Sequence, residues 1–405
     1  MFRLAFRNVF RQRGRMLIAI SAIGFGVVAQ LLAGGFMEWI FWAMRESTIQ
    51  SQLGHLQITR PGYLKHGSAR PFDYLLTDQL TESEVMAAAP EVKLITPRLN
   101  FNGLISHGDN TIAFVGQGVD PEKEAELSKV FEIARGQNLS SDDPEGITIG
   151  RGIARVLGLE VGDTVALIAN TSSGGINGVE VHIRGLFVTG TKAFDDNALR
   201  VPIATARTLL RCAGSHAWVL LLDKTAHTKE VLHRLQSRFP ESSSDVQFIP
   251  WYELADFYTK TVALFSRQMN VLRLIIAFII ILSISNTMIM SVLDRTGEIG
   301  TQMALGIKRK GILRLFMSEG LLLGVIGGGC GLMVGLLLAA VISKVGIPMP
   351  PPPGMEVGFT GRIILNWQLA AGALILAIVT TLTASIYPAW KASRLEIVNA
   401  LRHNR

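Results

Sequence analysis

Four separate apolar stretches, each long enough to cross a bilayer, limit what this chain can fold into. They run from Met16 to Met37, from Leu274 to Leu293, from Gly320 to Ser343 and from Ile363 to Trp390. A hydrocarbon layer about 30 Å thick needs roughly 20 apolar residues in a helix rising 1.5 Å per residue. The sequence therefore predicts an α-helical membrane protein with four transmembrane helices. A polar segment of roughly 220 residues separates the first stretch from the second, enough for an independent core or for two small ones. It predicts a large α+β domain between the first and second spans, a 1+3 arrangement.

Charge gives the orientation. Residues 45–270 carry 22 Lys/Arg against 26 Asp/Glu, whereas the remainder carries 17 against 6. The basic residues flank the spans, so the net charge of +7 does not mark a nucleic-acid-binding domain, which would need a basic patch on a folded surface. Arg3, Arg7, Arg11, Arg13 and Arg15 precede the first span; Arg295, Lys308, Arg309, Lys310 and Arg314 lie in the second connection; Lys391, Arg394, Arg402 and Arg405 end the chain. The connection 344–362 has only Lys344 and Arg362. Short loops rich in Lys/Arg stay inside. Both termini are thus expected in the cytoplasm and the large domain outside. The first stretch is too long for the 7–15-residue core of a signal peptide, so an uncleaved anchor is expected.

The expected layout is an amphipathic interfacial helix (1–15), the first span with a stalk-like extension (16–44), the outer domain (45–250), a second stalk and span (251–293), an inner loop (294–318), the third span (319–344), a proline-rich outer loop (345–362), the fourth span (363–390) and a cytoplasmic tail (391–405). Within the domain, strands are expected at Leu94–Thr96, Ile112–Val115, Ile147–Gly150, Thr164–Ala169, Val179–Val188, Trp218–Leu222 and Val246–Ile249, with helices at Gly152–Leu157 and Thr228–Phe239. The last two strands and the helix between them read as a β-α-β unit. Thr171–Gly178, rich in Ser, Gly and Asn, reads as a hairpin loop.

Two features of the spans concern helix association. Asn286 in the second span calls for a hydrogen-bond partner in hydrocarbon, either a packing contact on a neighbouring helix or a substrate. The third span holds three small-residue pairs, Gly324/Gly328, Gly327/Gly331 and Gly331/Gly335, which permit close approach of another helix, in this chain or in a second copy.

Catalytic chemistry is hard to assemble from these residues. Gly185-Leu186-Phe187-Val188-Thr189-Gly190-Thr191-Lys192 approaches a P-loop, but the lysine comes one place late and Ala193 stands where Ser/Thr should follow. It reads as a strand and turn. The eight histidines are scattered, with no His-Glu-x-x-His or Gly-x-Ser-x-Gly, and no Cys-x-x-Cys pair exists. Cys212 and Cys330 fall in different layers. Glu38, Arg273 and Glu319 are placed at span ends, leaving no ionisable group in the span cores for a proton-driven carrier. No catalytic or metal site is expected, and any ATP and Mg would be bound by a partner.

The inner loop stands out: Asp294-Arg295-Thr296-Gly297-Glu298-Ile299-Gly300-Thr301-Gln302-Met303-Ala304-Leu305-Gly306-Ile307. Its spacing is helical, with Ile299, Met303 and Gly306 on one side, an apolar face suited to docking on a cytoplasmic partner. A solvated loop fits the spacing as well. This segment resembles the coupling region of the MacB/FtsX family of ABC permeases, whose pattern runs Arg-x-x-Glu-Ile-Gly-x-x-x-Ala-Leu-Gly; Arg295, Glu298, Ile299, Gly300, Ala304, Leu305 and Gly306 match it position by position. Tyr387-Pro388-Ala389-Trp390-Lys391-Ala392-Ser393-Arg394 and Ala400-Leu401-Arg402 are similar to the family's closing motif, with Glu396-Ile397-Val398 where the family often has Asp-Pro. The arginine-rich start and Gly150–Asp163 also match.

The resemblance implies ATPase coupling through Arg295, Glu298, Ile299, Gly300, Met303, Ala304, Leu305 and Gly306, and a cytoplasmic ABC ATPase dimer as partner. It also implies a second copy or a related permease, membrane lipid and a possible periplasmic chaperone or adaptor in a bacterial inner membrane. Function then reads as mechanotransmission on lipoproteins or other amphiphiles, as in lipoprotein-releasing and MacB-type systems. The alternative is a transmitter of signals to an extracytoplasmic partner, as in the family's cell-division member. The long loop of a chaperone-recruiting subunit would fall near Thr171–Gly178.

Overall fold

The structure is a computed structural model describing residues 7, 11, 13–77, 79–128, 132–189, 192–350 and 359–396 of the chain. Most of the expected interfacial helix 1–15, three of the four consecutive prolines and Ala400-Leu401-Arg402 lie outside the described residues. The chain divides into two compact units, a helical bundle (1–42, 261–349 and 360–405) and a domain (43–260 with 350–359).

The bundle contains α1 (Arg13–Thr48), α2 (Asp256–Asp294), the short α3 (Thr296–Ala304), α4 (Arg309–Val345) and α5 (Trp367–Ser393). All but α3 are long and apolar enough to cross a membrane. The 39 residues of α2 make a helix of about 58 Å, well beyond a 30 Å hydrocarbon layer. The boundary between bundle and domain falls inside α1 and inside α2, and neither helix breaks there. The apolar run from Ile363 enters its helix only at Trp367, because Asn366 caps α5 by accepting the Leu369 N–H at 2.7 Å.

The glycines of α4 serve two faces of this same chain. Gly327, Gly331 and Gly335 lie against Ile23, Gly24 and Leu31 of α1, while Gly320, Gly324 and Gly328 lie against Ser385, Thr381 and Leu374 of α5. A methyl group on Gly331 would sit 2.7 Å from the Gly24 carbonyl oxygen, so only hydrogen fits between these backbones. Asn286, for which the sequence predicts a packing contact or a substrate, is exposed on the outside of this bundle. Its neighbour Ser285 makes the interhelical contact, donating to the Ala384 carbonyl at 2.9 Å. That carbonyl sits four residues before Pro388, which has no N–H to offer it. The serine of α2 thus satisfies the acceptor that the proline of α5 leaves open.

Among the described residues the domain is built on ten strands: β1 (Leu56–Thr59), β2 (Val92–His107), β3 (Asn110–Val119), β4 (Glu132–Gly136), β5 (Gly146–Gly150), β6 (Thr164–Asn170), β7 (Ile176–Val188), β8 (Ala198–Pro202), β9 (Ala217–Leu222) and β10 (Gln247–Pro250). The pairings β2-β3-β8-β5-β7-β6 return to β2, so six strands close into a small barrel. Leu99, Ile105, Ile147, Leu167, Ile183 and Leu199 belong to its fully buried core. The first half of β2 leaves the barrel and pairs with β9, extending into an open layer ordered β10-β1-β9-β2. The helices Glu82–Ala88 and Thr228–Arg238 close a second core over that layer through Val85, Val231 and Leu235.

Three expectations change. β2 is 16 residues long rather than a short strand, because one strand serves both cores. The expected β-α-β unit is split: β1 lies between β9 and β10, antiparallel to both. The β6–β7 connection is also shorter than Thr171–Gly178, since Ile176–Gly178 pair with Ile168–Asn170 and only Thr171–Gly175 turn.

Buried polar groups fix the domain's joints. Glu124 lies between Arg98 (2.6 Å) and Arg200 (3.1 Å), all three buried. Burial pushes the Glu124 carboxyl up, but the two guanidinium groups outweigh it and its pKa falls below the usual carboxylate range. His55 accepts the Leu222 N–H and His216 the Asn100 N–H, each at 3.1 Å. Burial lowers both imidazoles to about 4, despite opposition from the Glu46 charge at His55 and the Pro71 carbonyl at His216.

Candidate functional site

The inner loop folds as a nine-residue helix whose C-terminus follows from its sequence. At its end the Gly306 N–H reaches the Met303 carbonyl (3.0 Å) and the Ile307 N–H reaches that of Gln302 (3.1 Å). Gly306 has φ of +97°, the left-handed conformation this terminator requires. No atom lies within 4 Å of where a Cβ would stand, so backbone conformation, not packing, calls for glycine there.

The helix does not present the expected apolar face to solvent. Ile299, Gly300 and Met303 are buried, and Ile299 and Met303 belong to the bundle's own core with Ile312 and Phe316 of α4. Gly306 lies past the helix end rather than on that face. What remains outside is the opposite edge and the tip: Thr301, Ala304, Leu305 and Gly306, followed by Lys308, Arg309 and Lys310. Leu305 is 81% exposed.

A set of ion pairs holds α3 in place. Arg295 stands at the start of α3 and is buried. Its guanidinium donates to Glu319 at 3.0 Å and to Glu298 at 3.3 Å, and lies 5.8 Å from the centre of the Phe316 ring. Glu319, expected at a span end, is 3% exposed within α4. Glu298 also receives Arg11, and Asp294 receives Arg15. Three arginines therefore meet three carboxylates where α1, α2, α3 and α4 converge. Partial burial pushes the Glu298 carboxyl up, but hydrogen bonds from Arg11 and Arg295 outweigh it, and its pKa is lowered. The carboxylate is thus charged at neutral pH.

Of the sequence-derived residues, Arg295 and Glu298 are brought into one network, Ile299, Gly300 and Met303 anchor the helix, and Ala304, Leu305 and Gly306 form its free tip. Sequence reasoning missed Glu319, Phe316, Arg11, Arg15 and Asp294 as members. A lone carboxylate at the start of an otherwise apolar helix was the available signal for Glu319. The near-P-loop runs into the end of β7, and its Gly190 and Thr191 lie outside the described residues: the Thr189 N–H is held by the Asp195 carboxylate at 2.9–3.0 Å, and Lys192 pairs with Asp196. The chain's own carboxylate occupies the donor a phosphate would need.

Two family models match this chain. Residues 16–238 match the MacB-like periplasmic core domain, and residues 270–397 match the FtsX-like permease C-terminal model. The lipoprotein-releasing system transmembrane protein LolE of Haemophilus influenzae is 23% identical over 77% of this chain and 78% of its own length. LolC of Xylella fastidiosa is 22% identical over 96% of this chain and 93% of its own. The macrolide export ATP-binding/permease protein MacB of Syntrophobacter fumaroxidans is 35% identical, over 36% of this chain and 19% of its own length. The core-domain match alone covers more than half of the chain, and the permease match covers most of the remainder: the chain belongs to the FtsX/MacB-type family of ABC transporter permeases.

Proposed function

We infer that this permease subunit transmits the work of a separate cytoplasmic ATPase dimer to its outer domain, acting on lipoproteins or other amphiphiles at the outer leaflet. In this reading α1 crosses the inner membrane before the domain and α2, α4 and α5 cross it afterwards, with both termini in the cytoplasm. A second copy or a related permease completes the assembly, and α3 is the coupling helix. The observation that carries the reading is the division of α3 into a buried anchor and a free tip. A helix that must pass a push to the bundle has to be fixed to it on one side and project on the other. The Arg295–Glu319 pair with Ile299 and Met303 provides the first, and Leu305 the second.

Continuity of α1 and α2 supports mechanical transmission, since an unbroken helix carries displacement along its axis. Lipoprotein or amphiphile cargo is carried over from the names of the relatives. The test is Leu305→Asp. Its side chain supports no packing, so the bundle should fold normally while association with the ATPase and stimulation of ATP hydrolysis are lost. Normal association and stimulation in both Leu305→Asp and Glu298→Lys would remove α3 from the coupling role.

A further inference from the structure

Two polar side chains inside the bundle carry buried atoms that nothing answers. Gln30, within the apolar run of α1, is 5% exposed, and its Oε1 has no hydrogen-bond partner among the described residues. On α2 the Nε–H of Arg273 is buried and has none either. The Arg273 guanidinium does donate to Asn270, one turn back on its own helix, but at 3.3 Å.

Register brings the two residues together. Arg15 of α1 pairs with Asp294 of α2, and a Cβ on Gly26 would lie 2.7 Å from Ile280 Cδ1 and 3.2 Å from Ile276 Cγ2. Rising numbers on α1 thus meet falling numbers on α2, so the helices run antiparallel. Gln30 is one turn beyond Gly26 on the same stripe, about 6 Å along α1. Arg273 is one turn beyond Ile276 on the stripe that also carries Ile280, about 4.5 Å along α2. The unmet acceptor and the unmet donor therefore stand at nearly one level on facing sides of the two helices.

The crossing is built to move. Gly26 puts no side chain between the helices, and α2 is the least enclosed of the four spans, with 22% of its apolar window buried against 28–39% in the others. An arrangement that leaves a donor and an acceptor unmet in hydrocarbon competes with one that joins them by shifting a helix, which is the balance a two-state joint requires. We propose that Gln30 and Arg273 form a catch between α1 and α2, open in this structure, which closes when the Arg273 guanidinium donates to Gln30 Oε1 as the domain-side ends of the two spans approach. The inference rests on the membrane-spanning reading of α1 and α2 and not on coupling to an ATPase.

The test is the distance between the two helices, measured on the full chain alone in lipid nanodiscs by double electron–electron resonance. Spin labels are placed at Glu38→Cys and Gln268→Cys, both exposed, with Cys212→Ser and Cys330→Ala removing the native thiols. Two distances should be populated. Gln30→Leu and Arg273→Met should each move the population about 3- to 30-fold toward the longer one, the range for interhelical hydrogen bonds in membranes. Gln30→Glu, which sets a carboxylate before the guanidinium, should move it toward the shorter one. Exchange of the pair, Gln30→Arg with Arg273→Gln, should restore both. A single distance unmoved by Gln30→Leu and Gln30→Glu would overturn the proposal. So would a Gln30→Leu chain that gains thermal stability with its distances unchanged, the behaviour of a polar residue that is simply buried. No ATPase is present, so failure of the coupling role of α3 leaves these results as they are.

Discussion

Glu319→Gln isolates the anchor of α3. The substitution preserves shape and removes the charge opposite Arg295, which is itself buried. Breaking a buried ion pair from one side costs about 3–5 kcal/mol, because the remaining charge is left uncompensated. Arg295 keeps part of its compensation, since Glu298 lies 3.3 Å away and is itself partly exposed. A cost near the lower bound, about 3 kcal/mol, follows, and at 1.36 kcal/mol per decade it shifts the docked state of α3 roughly 100-fold. The assay is ATP hydrolysis and cargo release by the reconstituted complex, read beside the thermal stability of the purified chain. Coupling and stability should fall together in Glu319→Gln. Replacing both partners, Arg295→Met with Glu319→Leu, should restore stability, since neither charge is then stranded. A Glu319→Gln chain as stable and as well coupled as the parent would refute the reasoning, as would a double variant worse than the sum of its singles.

Other expectations follow from single contacts. Gly331→Ala should destabilise the bundle by about 1–3 kcal/mol in the thermal stability of the purified chain, because the new methyl meets the Gly24 backbone; Gly329→Ala, with nothing within 4 Å of its Cβ position, should be neutral in the same measurement. Glu124→Gln should cost the domain about 3–5 kcal/mol in urea unfolding, since it leaves Arg98 and Arg200 without their shared carboxylate. His55 and His216 are held neutral, with pKa lowered from 6.5 to about 4. The unfolded chain therefore binds more protons across that window, so their contribution is full above pH 6.5 and is lost as pH falls toward 4, by about 3 kcal/mol per histidine. Limited proteolysis of the domain against pH should show this loss, and His216→Gln should flatten part of it.

The long apolar helices were legible because hydrophobic length is a local property of sequence. So were the paired glycines of α4, although their partners were not: spacing gives a face, and only the fold shows that one face meets α1 and the other α5. Asn286 and Ser285 mark the limit of such reading. Adjacent polar residues in one span differ by 100° in direction, and only the position of Pro388, about a hundred residues later, makes the serine the packing residue. In the inner loop, helical spacing identified an apolar face but not what covers it, which is the chain's own bundle. Glu319 joined the network through a contact 24 residues distant from Arg295, beyond any local pattern. The domain's strands were found where alternation was strong, while closure of the barrel depended on non-local pairing of β6 with β2.

The most direct measurement of the central claim is gentle purification of the tagged chain from its native membrane, with co-purifying molecules identified by mass spectrometry, in the parent and in Leu305→Asp. Recovery of a cytoplasmic ATPase with the parent, lost in Leu305→Asp while the chain stays folded, is the expected result, and bound lipoprotein or lipid would name the cargo. Recovery of the parent chain with only an extracytoplasmic partner and no ATPase would contradict it and place the chain among transmitters of signals rather than transporters.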